Sequence, residues 1–374
     1  MTALFQPLQL RDLQLQNRVV VSPMCQYSAI DGTAQLWHTV HYGQLALASA
    51  GLLILEATAV EAAGRITPSC LGLYNDENES AIANIMQAIR GVNPSVTIPV
   101  CIQLGHAGRK ASSYEPWNGG QLVPQSKGGW DTVAPSAVPH LNDEIPPVAL
   151  DKQGLGELTA KFIKALERSD GLGIDAVELH AAHGYLLHQF LSPVSNQRDD
   201  EYGGSLENRM RYPLELFSEM RSTWPDHKPL GVRISACDWD VDSSWTIHES
   251  SEFAKRLQDA GCDWIDVSSG GVSQHQKITL KPGYQVHFAE AIKQVVDIPV
   301  MAVGLITEAR QAESVLESQQ ADMVALARAF LYNPRWVWHA AAELGETAVA
   351  PQQYWRSAPS GAGRVFGDTP IGMR

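Results

Sequence analysis

The sequence predicts an α/β protein whose core is a closed (β/α)8 barrel, the TIM barrel. Eight short runs of β-branched and apolar residues recur along the chain, and stretches with helical periodicity separate them. Continuous apolar runs of this kind are typical of parallel strands that are buried on both faces. A doubly wound open sheet is the alternative, but no Gly-x-Gly-x-x-Gly turn follows the first run. The predicted strands are residues 19–22, 52–56, 98–103, 176–180, 230–235, 264–268, 300–303 and 323–327.

The segments around these strands complete the predicted architecture. Residues 1–16 alternate weakly around Arg11 and Asp12, which predicts a small hairpin that closes the barrel floor. Residues 110–150 are rich in Pro, Gly and Trp and predict a lid or small subdomain after the third strand. The tail 356–374 is expected to be irregular, and no linker divides the chain, so residues 1–374 are predicted to form a single domain. Helical periodicity is clearest at residues 155–169, 205–221, 248–260, 289–296 and 308–318.

Composition and charge argue against several classes of protein. Hydrophobic residues make up 44% of the chain and charged residues 18%, which is typical of a globular protein with ample core. A formal net charge of -13 argues against nucleic-acid binding and provides no basic patch for a membrane surface. The first residues show neither a basic nor an apolar stretch, and no apolar run reaches membrane-spanning length. Five scattered cysteines without a Cys-x-x-Cys pair favour a reducing, cytoplasmic compartment.

The segment 173–185 carries the most chemistry in the chain. It predicts a buried strand that ends in His180, His183 and Tyr185. Because the catalytic groups of (β/α)8 barrels lie at the carboxyl ends of the strands, these side chains are expected in the active site. Two neighbouring imidazoles can donate hydrogen bonds to one oxygen atom, and a phenol beside them can supply a proton. The pattern therefore predicts polarisation of a carbonyl group and protonation of the carbon next to it.

Other strand ends predict a site for a phosphorylated cofactor. Gly304, and the pair Ala327 and Arg328, follow the seventh and eighth predicted strands, where barrels of this class bind phosphate through backbone N–H groups and an arginine. Gln103 and Arg233 stand at the third and fifth strand ends. An amide can pair with the pyrimidine edge of a flavin, and a fixed cation favours the anionic reduced ring.

Together and in order, these motifs resemble the Old Yellow Enzyme family of FMN-dependent ene-reductases. The resemblance is strongest to the bacterial branch that includes xenobiotic reductases and NADPH dehydrogenases, and it covers nearly the whole chain, from residues 4–18 to residues 353–356. Both positions of the histidine pair are histidine here, where other branches place an asparagine second. The motifs are Ser-Pro-Met-Cys-x-Tyr at 22–27, Gln-Leu-Gly-His-Ala-Gly-Arg at 103–109, Gly-Val-Arg-Ile-Ser at 231–235 and Pro-Gly-Tyr-Gln at 282–285.

The resemblance implies a role for each of the singled-out residues. Cys25 would lie beside the isoalloxazine and tune its potential without acting as a nucleophile. His180 and His183 would bind the activating oxygen of the substrate, with Tyr27 as a further donor, and Tyr185 would be the proton donor. FMN would be held by Ser22, Pro23, Met24, Cys25, Ala57, Gln103, Arg233, Gly304, Ala327 and Arg328.

The resemblance also implies the reaction and the partners. A reduced nicotinamide, NADPH or NADH, would pass a hydride to FMN, and an α,β-unsaturated carbonyl or nitro compound would then receive it at its β-carbon; no metal is required. Arg356, or Trp355 beside it, matches a position that members of this branch pass into a neighbour's site, so a homodimer or homotetramer is expected. The sequence leaves the preference between NADPH and NADH open, and Lys110 or Lys127 could bind a 2′-phosphate.

Three alternatives stay open at the level of sequence. His180 and His183 could bind a metal ion in a barrel hydrolase, although His-x-x-His supplies only two ligands. The barrel could oxidise its substrate, but the relatives that dehydrogenate amines carry extra domains and iron–sulfur cysteine clusters, which this sequence does not show. A non-catalytic flavin-binding protein would carry the same motifs. Among the neighbouring residues, Arg109 is expected to form an ion pair at the rim, and His38 and His41 are expected to be structural.

Overall fold

A closed barrel of eight parallel strands forms the centre of the molecule, which confirms the predicted fold class. The computed structural model describes residues 2–92, 98–240 and 244–369. In chain order the strands are β1 (Leu8–Leu10), β2 (Leu13–Leu15), β3 (Val19–Val21), β4 (Leu52–Ala59), β5 (Val100–Gly105), β6 (Val133–Ala134), β7 (Val148–Ala149), β8 (Ala176–Ala181), β9 (Leu230–Ser235), β10 (Ile265–Ser268), β11 (Val300–Val303) and β12 (Met323–Leu326).

The barrel follows the chain order β3, β4, β5, β8, β9, β10, β11 and β12, and β12 pairs with β3 to close it. All eight predicted strands are present. Strand β4 runs three residues beyond its predicted end at residue 56, because a register shift against β5 leaves Glu56 as an extra, bulged residue between Leu55 and Ala57. Pairing with β5 resumes after the bulge and continues to Ala59.

Ten α-helices are described around the barrel. They include all five predicted helices, each within three residues of the predicted bounds at both ends. The predicted helix 289–296 is displaced as a whole by three residues, to Val286–Lys293, and the Val295 N–H closes its last turn onto the Ile292 carbonyl. The helices are α1 (Leu36–Ala46), α2 (Asp76–Val92), α3 (Lys152–Gly171), α4 (Leu186–Leu191), α5 (Leu206–Thr223), α6 (Ile247–Asp259), α7 (Val286–Lys293), α8 (Ala309–Glu317), α9 (Arg328–Tyr332) and α10 (Trp336–Leu344).

The N-terminal hairpin closes the floor of the barrel, as predicted. Strands β1 and β2 pair in antiparallel register, with Arg11 in the left-handed conformation at the turn. Leu10 and Leu15 are buried against apolar side chains that fill the barrel interior, including Trp264. Because the floor is closed by apolar packing, polar side chains that face the barrel lumen are left for its opposite, carboxyl-terminal end.

The long segment after β5 forms a small irregular subdomain. It contains three 3-10 turns (Gly108–Lys110, Pro116–Asn118 and Gln125–Lys127) and the short parallel pair β6–β7. The C-terminal segment contains a 3-10 helix, Gln352–Ser357, and returns to the core at the buried Val365; residues 370–374 of the predicted tail lie outside the described residues. Across the described ranges, every helix is too short or too polar to cross a bilayer.

Candidate functional site

His180 lies near the end of β8, and a tight turn after this strand carries His183. His183 and Gly184 both have positive φ, of 58° and 72°, and the His183 N–H donates to Ser235 Oγ at the end of β9 over 2.8 Å. A Cβ on Gly184 would lie 2.1 Å from the Gly271 carbonyl oxygen, so the turn packs directly against the loop after β10. Glycine at this position is therefore required both for the backbone conformation and for the close approach. This turn brings His183 back to the side of His180.

The hydrogen bonds around the two imidazoles fix which nitrogen of His180 is a donor. Its Nδ1 accepts from the Ala182 N–H over 3.2 Å, so a neutral His180 carries its proton on Nε2. That atom lies 3.3 Å from Nδ1 of His183, whose Nε2 lies 2.6 Å from Ser268 Oγ. When the Ser268 hydroxyl donates to His183, the proton of His183 is on Nδ1. In the structure itself His180 Nε2–H donates to His183 Nδ1 across this contact. An oxygen atom that enters beside the pair can accept from both imidazoles once the His183 proton is on Nδ1.

Burial keeps both imidazoles neutral. Desolvation, and after it the charge of Arg233, holds the pKa of His180 and of His183 well below the usual value of a histidine. Neutral imidazoles can donate one hydrogen bond each without the cost of a buried charge. The pair is thus suited to polarise an oxygen atom at neutral pH.

Tyr185 stands beside the histidine pair. Its ring lies edge-to-face on His180, with centroids 5.0 Å apart, and 6.5 Å from the ring of His183. Burial, followed by the neighbouring Cys25 and Tyr27, raises the pKa of Tyr185 well above its usual value. The phenol therefore keeps its proton at neutral pH and can give it to a reacting carbon.

Lys110 braces this turn from the lid. Its Nζ donates to the carbonyl oxygens of His183 and Gly271 over 2.8 and 2.9 Å, and it lies 5.1 Å above the centre of the Tyr185 ring. The ammonium is thus engaged inside the protein, and Lys110 is a poor candidate for the 2′-phosphate contact suggested by the sequence. Lys127, the other lysine suggested, is exposed.

The segment after β3 carries the next group of predicted residues. Ser22 is buried, Pro23 to Tyr27 are half-buried, and Tyr27 has a positive φ of 49°. The ring of Tyr27 packs edge-to-face on Trp117 of the lid, at 5.4 Å. The neighbouring thiol of Cys70, and then burial, raise the pKa of Cys25, so the thiol of Cys25 keeps its proton at neutral pH.

A pocket at the mouth of the barrel joins these groups to β4. Ala57, Cys70, His180 and Tyr185 all line it. Ala57 follows the β4 bulge, and Cys70 comes from the loop beyond that strand. The predicted residues Ala57, His180 and Tyr185 are therefore brought together around one space.

Gln103 and Arg233 are held in fixed orientations inside the barrel mouth. Gln103 Nε2 donates to Glu178 Oε1 over 2.8 Å, and burial raises the pKa of Glu178 to about 8. Arg233 lies 3.2 Å from Asp266 through Nε and 3.2 Å from Ser22 Oγ through a terminal nitrogen. The amide of Gln103 and the guanidinium of Arg233 are both buried, and each is held by the carboxyl group named above.

A cleft at the ends of β11 and β12 contains the predicted phosphate loops. Gly304, Ala327 and Arg328 line it together with Arg233. Gly304 has a φ of +123°, and a Cβ there would lie 2.7 Å from Gln285 Nε2, so the wall of the cleft is built around a missing side chain. Two arginines and a glycine wall suit a phosphate monoester, and Arg233 links this cleft to the space beside Ser22. The donor set fits FMN.

Two predicted residues behave differently from the rest. Among the described residues Arg109 has no ion-pair partner: its guanidinium is buried and donates to the carbonyl oxygens of Val138, Pro139 and Val272, which ties the lid to the loop after β10. Arg356 is exposed on the 3-10 helix Gln352–Ser357, while Trp355 packs against the core.

Sequence reasoning missed several residues of the site. The contacts of Ser268 and Lys110 were not predicted, because nothing in a sequence shows which imidazole nitrogen a hydroxyl meets or which carbonyls a lysine reaches. Glu56 and Cys70 carried no motif signal at all. For the metal alternative, the described ranges contain no group of three or more His, Cys, Asp or Glu side chains placed to hold an ion.

Comparisons with known proteins agree with this geometry. The family model described as NADH:flavin oxidoreductase / NADH oxidase, an FMN family, matches residues 3–346. An NADPH dehydrogenase of Geobacillus sp. (strain WCH70) is 42% identical over 357 residues, covering 95% of this chain and 98% of the relative. Morphinone reductase is 27% identical with a TM-score of 0.74, covering 94% of this chain and 92% of that one.

Two further solved structures bear on cofactor and fold. Morphinone reductase has also been solved in complex with tetrahydroNAD. A 2-naphthoyl-CoA reductase shares the fold, with a TM-score of 0.81 at 21% identity, and this chain spans 52% of its length. The extent of the family match and the 42% identity decide the assignment. The chain is an oxidoreductase and belongs to the FMN-dependent NADH:flavin oxidoreductase / NADH oxidase family.

Proposed function

We propose that the protein is an ene-reductase that reduces the C=C bond of α,β-unsaturated carbonyl or nitro compounds by a ping-pong mechanism. The observation that carries the proposal is the convergence of His180 Nε2 and His183 Nδ1, 3.3 Å apart, with the Tyr185 ring beside them. The names of the similar NADPH dehydrogenases favour NADPH as reductant, and the tetrahydroNAD complex of morphinone reductase supports a nicotinamide in this fold.

The cofactor would be held by residues from all sides of the barrel mouth. When bound, FMN supplies the two-electron chemistry of both half-reactions, as acceptor and then as donor of a hydride. Arg233 would place a fixed positive charge beside the ring, and the amide of Gln103, oriented by Glu178, would pair with its polar edge. Gly304, Ala327 and Arg328 would bind the phosphate, and Ser22, Pro23, Met24, Cys25 and Ala57 would line the ring.

The histidine pair would act on the substrate oxygen. Hydrogen bonds from His180 and His183 draw negative charge onto that oxygen and leave the β-carbon electron-poor. Because both imidazoles are neutral, the interaction strengthens as charge develops and needs no prior protonation. Tyr185 then gives its phenolic proton to the α-carbon, and Tyr27 supplies a further donor at the same opening.

Three features of the assembly are part of the same proposal. The chain acts as one FMN-binding domain, because every cofactor residue named above lies on one barrel. It forms a homodimer or homotetramer in which Arg356 enters the neighbour's site, and its exposed position on a 3-10 helix permits this. The cysteines, none of which is paired in a disulfide, suit a cytoplasmic location.

An anaerobic titration of the purified protein tests the function. The visible flavin absorption is expected to bleach when NADPH is added and to return when cyclohexenone follows. Bleaching without return would reject the ene-reductase reaction while keeping the flavoprotein. A colourless protein that FMN does not reconstitute would reject the whole proposal.

A further inference from the structure

Glu56 is a fully buried carboxyl group that the reaction described above does not use. It is the bulged residue of β4, directly before Ala57, and its relative exposure is 0%. Burial of an unpaired carboxylate is costly, so its contacts identify what it serves. Oε2 accepts from the backbone N–H of Gln26 over 2.9 Å, and Oε1 accepts from the Tyr42 hydroxyl over 3.0 Å.

Helix α1 supplies the other side of this cluster. The Tyr42 hydroxyl also accepts from the backbone N–H of Glu56 over 2.9 Å. His38 Nδ1 accepts from the Gln35 N–H at the start of α1, so a neutral His38 carries its proton on Nε2. That atom lies 3.6 Å from Glu56 Oε1 and has no other partner within the described part of the chain. The carboxyl thus faces a phenol and an imidazole N–H.

The hydrogen bond from Gln26 ties Glu56 to a segment that lies at the proposed flavin site. Gln26 lies between Cys25 and Tyr27, and Tyr27 has a left-handed φ of 49°, which is unfavourable for a non-glycine residue. The peptide that Glu56 holds is the one that joins Cys25 to Gln26. Gln26 is further fixed by the indole of Trp37, which donates to its Oε1 over 3.1 Å. The position of the Cys25 thiol therefore depends on this anchor.

The carboxyl group of Glu56 is also expected to ionise within the accessible pH range. Burial raises the pKa of Glu56 to about 8, while the Gln26 N–H opposes that shift. The titratable groups that face it are Tyr42 and His38 from α1, Cys25 and Tyr27 from the segment after β3, and Cys70 from the loop after β4. The cluster contains no fixed positive charge to compensate an ionised carboxylate.

We propose that Glu56 is a positioning residue that anchors the Cys25–Tyr27 segment against the flavin and couples the reduction potential of the flavin to the protonation of this buried carboxyl. The inference rests on the proposed role of that segment at the flavin. A negative charge in a poorly solvated site disfavours adding electrons to a neighbouring ring. Ionisation of Glu56 therefore lowers the flavin potential, in addition to the ordinary dependence of a flavin on pH.

The test measures the flavin potential of the FMN-loaded protein against a reference dye across about one pH unit on either side of pH 8. In Glu56→Gln the amide oxygen still accepts from Gln26, but the side chain does not ionise. The wild type is expected to show a steeper fall in potential with pH than Glu56→Gln, with the two curves diverging above about pH 8. Superimposable curves would overturn the coupling.

A second variant is expected to change the pH at which the coupling appears. Tyr42→Phe removes a hydrogen bond that stabilises the charged form of Glu56 and leaves the Gln26 anchor in place, so the divergence is expected to move to higher pH. Divergence at the same pH as in the wild type would contradict the assignment of the coupling to Glu56. The measurement needs bound FMN but no enone, so a failed ene-reductase assay leaves it interpretable, and a failed coupling leaves the proposed reaction standing.

Discussion

His180 Nε2 and His183 Nδ1 lie 3.3 Å apart, and the two imidazole planes meet at 87°. The separation arises because a left-handed turn at His183 and Gly184 reverses the chain within three residues of the β8 strand. In this arrangement a substrate oxygen that lies beside the two nitrogens can come within hydrogen-bond distance of both.

Removing either imidazole is expected to slow flavin reoxidation by cyclohexenone. Each well-placed donor to a developing oxyanion lowers the barrier by ~2.7–4 kcal/mol, so His180→Ala and His183→Ala should each lose about 10²–10³ in rate. Stopped-flow measurement of reoxidation, normalised to bound FMN, gives the rate. His248→Ala, which changes an exposed histidine on α6, is the control and should match the wild type. Near-normal reoxidation in both active-site variants would contradict the proposed role.

Ser268 is expected to set the proton position of His183. Ser268→Ala removes the hydroxyl 2.6 Å from His183 Nε2, and loss of one such bond costs ~0.5–1.5 kcal/mol, or up to about tenfold in reoxidation rate. Ser268→Thr keeps the hydroxyl and should retain most of the activity. The ¹⁵N chemical shifts of His183 should show more proton on Nε2 in the alanine variant. Identical shifts in wild type and Ser268→Ala would show that the hydroxyl does not select the tautomer.

Gly184→Ala is expected to damage the site far more than an ordinary left-handed glycine substitution. The new methyl group would lie 2.1 Å from the Gly271 carbonyl oxygen, so the loops after β8 and β10 must separate. Gly204→Ala is the matched control, because Gly204 also has a positive φ, of 80°, but its Cβ would meet open space. The control should lose only ~1–2 kcal/mol of unfolding free energy and keep its activity. Equal effects of the two variants on stability and turnover would refute the close packing.

The oxidative half-reaction is expected to be insensitive to pH between about 6.5 and 7.5. Since the pKa values of His180 and His183 are depressed, both imidazoles are already neutral donors there, and raising the pH removes no proton that the reaction needs. The test is the pH profile of flavin reoxidation at saturating enone. A collapse of the rate above pH 7 would mean that an imidazolium is required.

His41 is expected to make the fold less stable in acid. Burial, followed by the charge of His38, lowers the pKa of His41 to about 4, whereas an unfolded histidine titrates near 6.5. Between these values the unfolded chain binds more protons than the folded one, so stability is lost as pH falls, by up to ~1.4 kcal/mol per unit. The urea midpoint should therefore fall less between about pH 6.5 and 5 in His41→Phe than in the wild type. His248→Phe, at an exposed site, should leave the slope unchanged; an unchanged slope in His41→Phe itself would refute the assignment.

Much of the architecture followed from local patterns. Strands such as β9 and β11 were predicted with the bounds that the structure has, because a strand buried on both faces must be apolar along its whole length. The predicted end of β4 was wrong because the bulge at Glu56 depends on pairing with β5. That strand begins at Val100, 44 residues further along the chain. The prediction that Arg109 forms an ion pair at the rim was wrong. A buried guanidinium can instead donate its hydrogen bonds to carbonyl groups, and these come from the folded lid.

The sequence by itself determined the barrel, the family and the chemical types at the strand ends, because periodicity and motif order are properties of neighbouring residues. The tertiary structure alone decided that Ser268 meets His183, that Lys110 is engaged by two carbonyl groups, and that Glu56 anchors Gln26. Each of these contacts joins segments that are distant in the chain. Proton positions and buried charges depend on such contacts, since a hydrogen bond or a desolvated carboxyl is defined by what surrounds it in space.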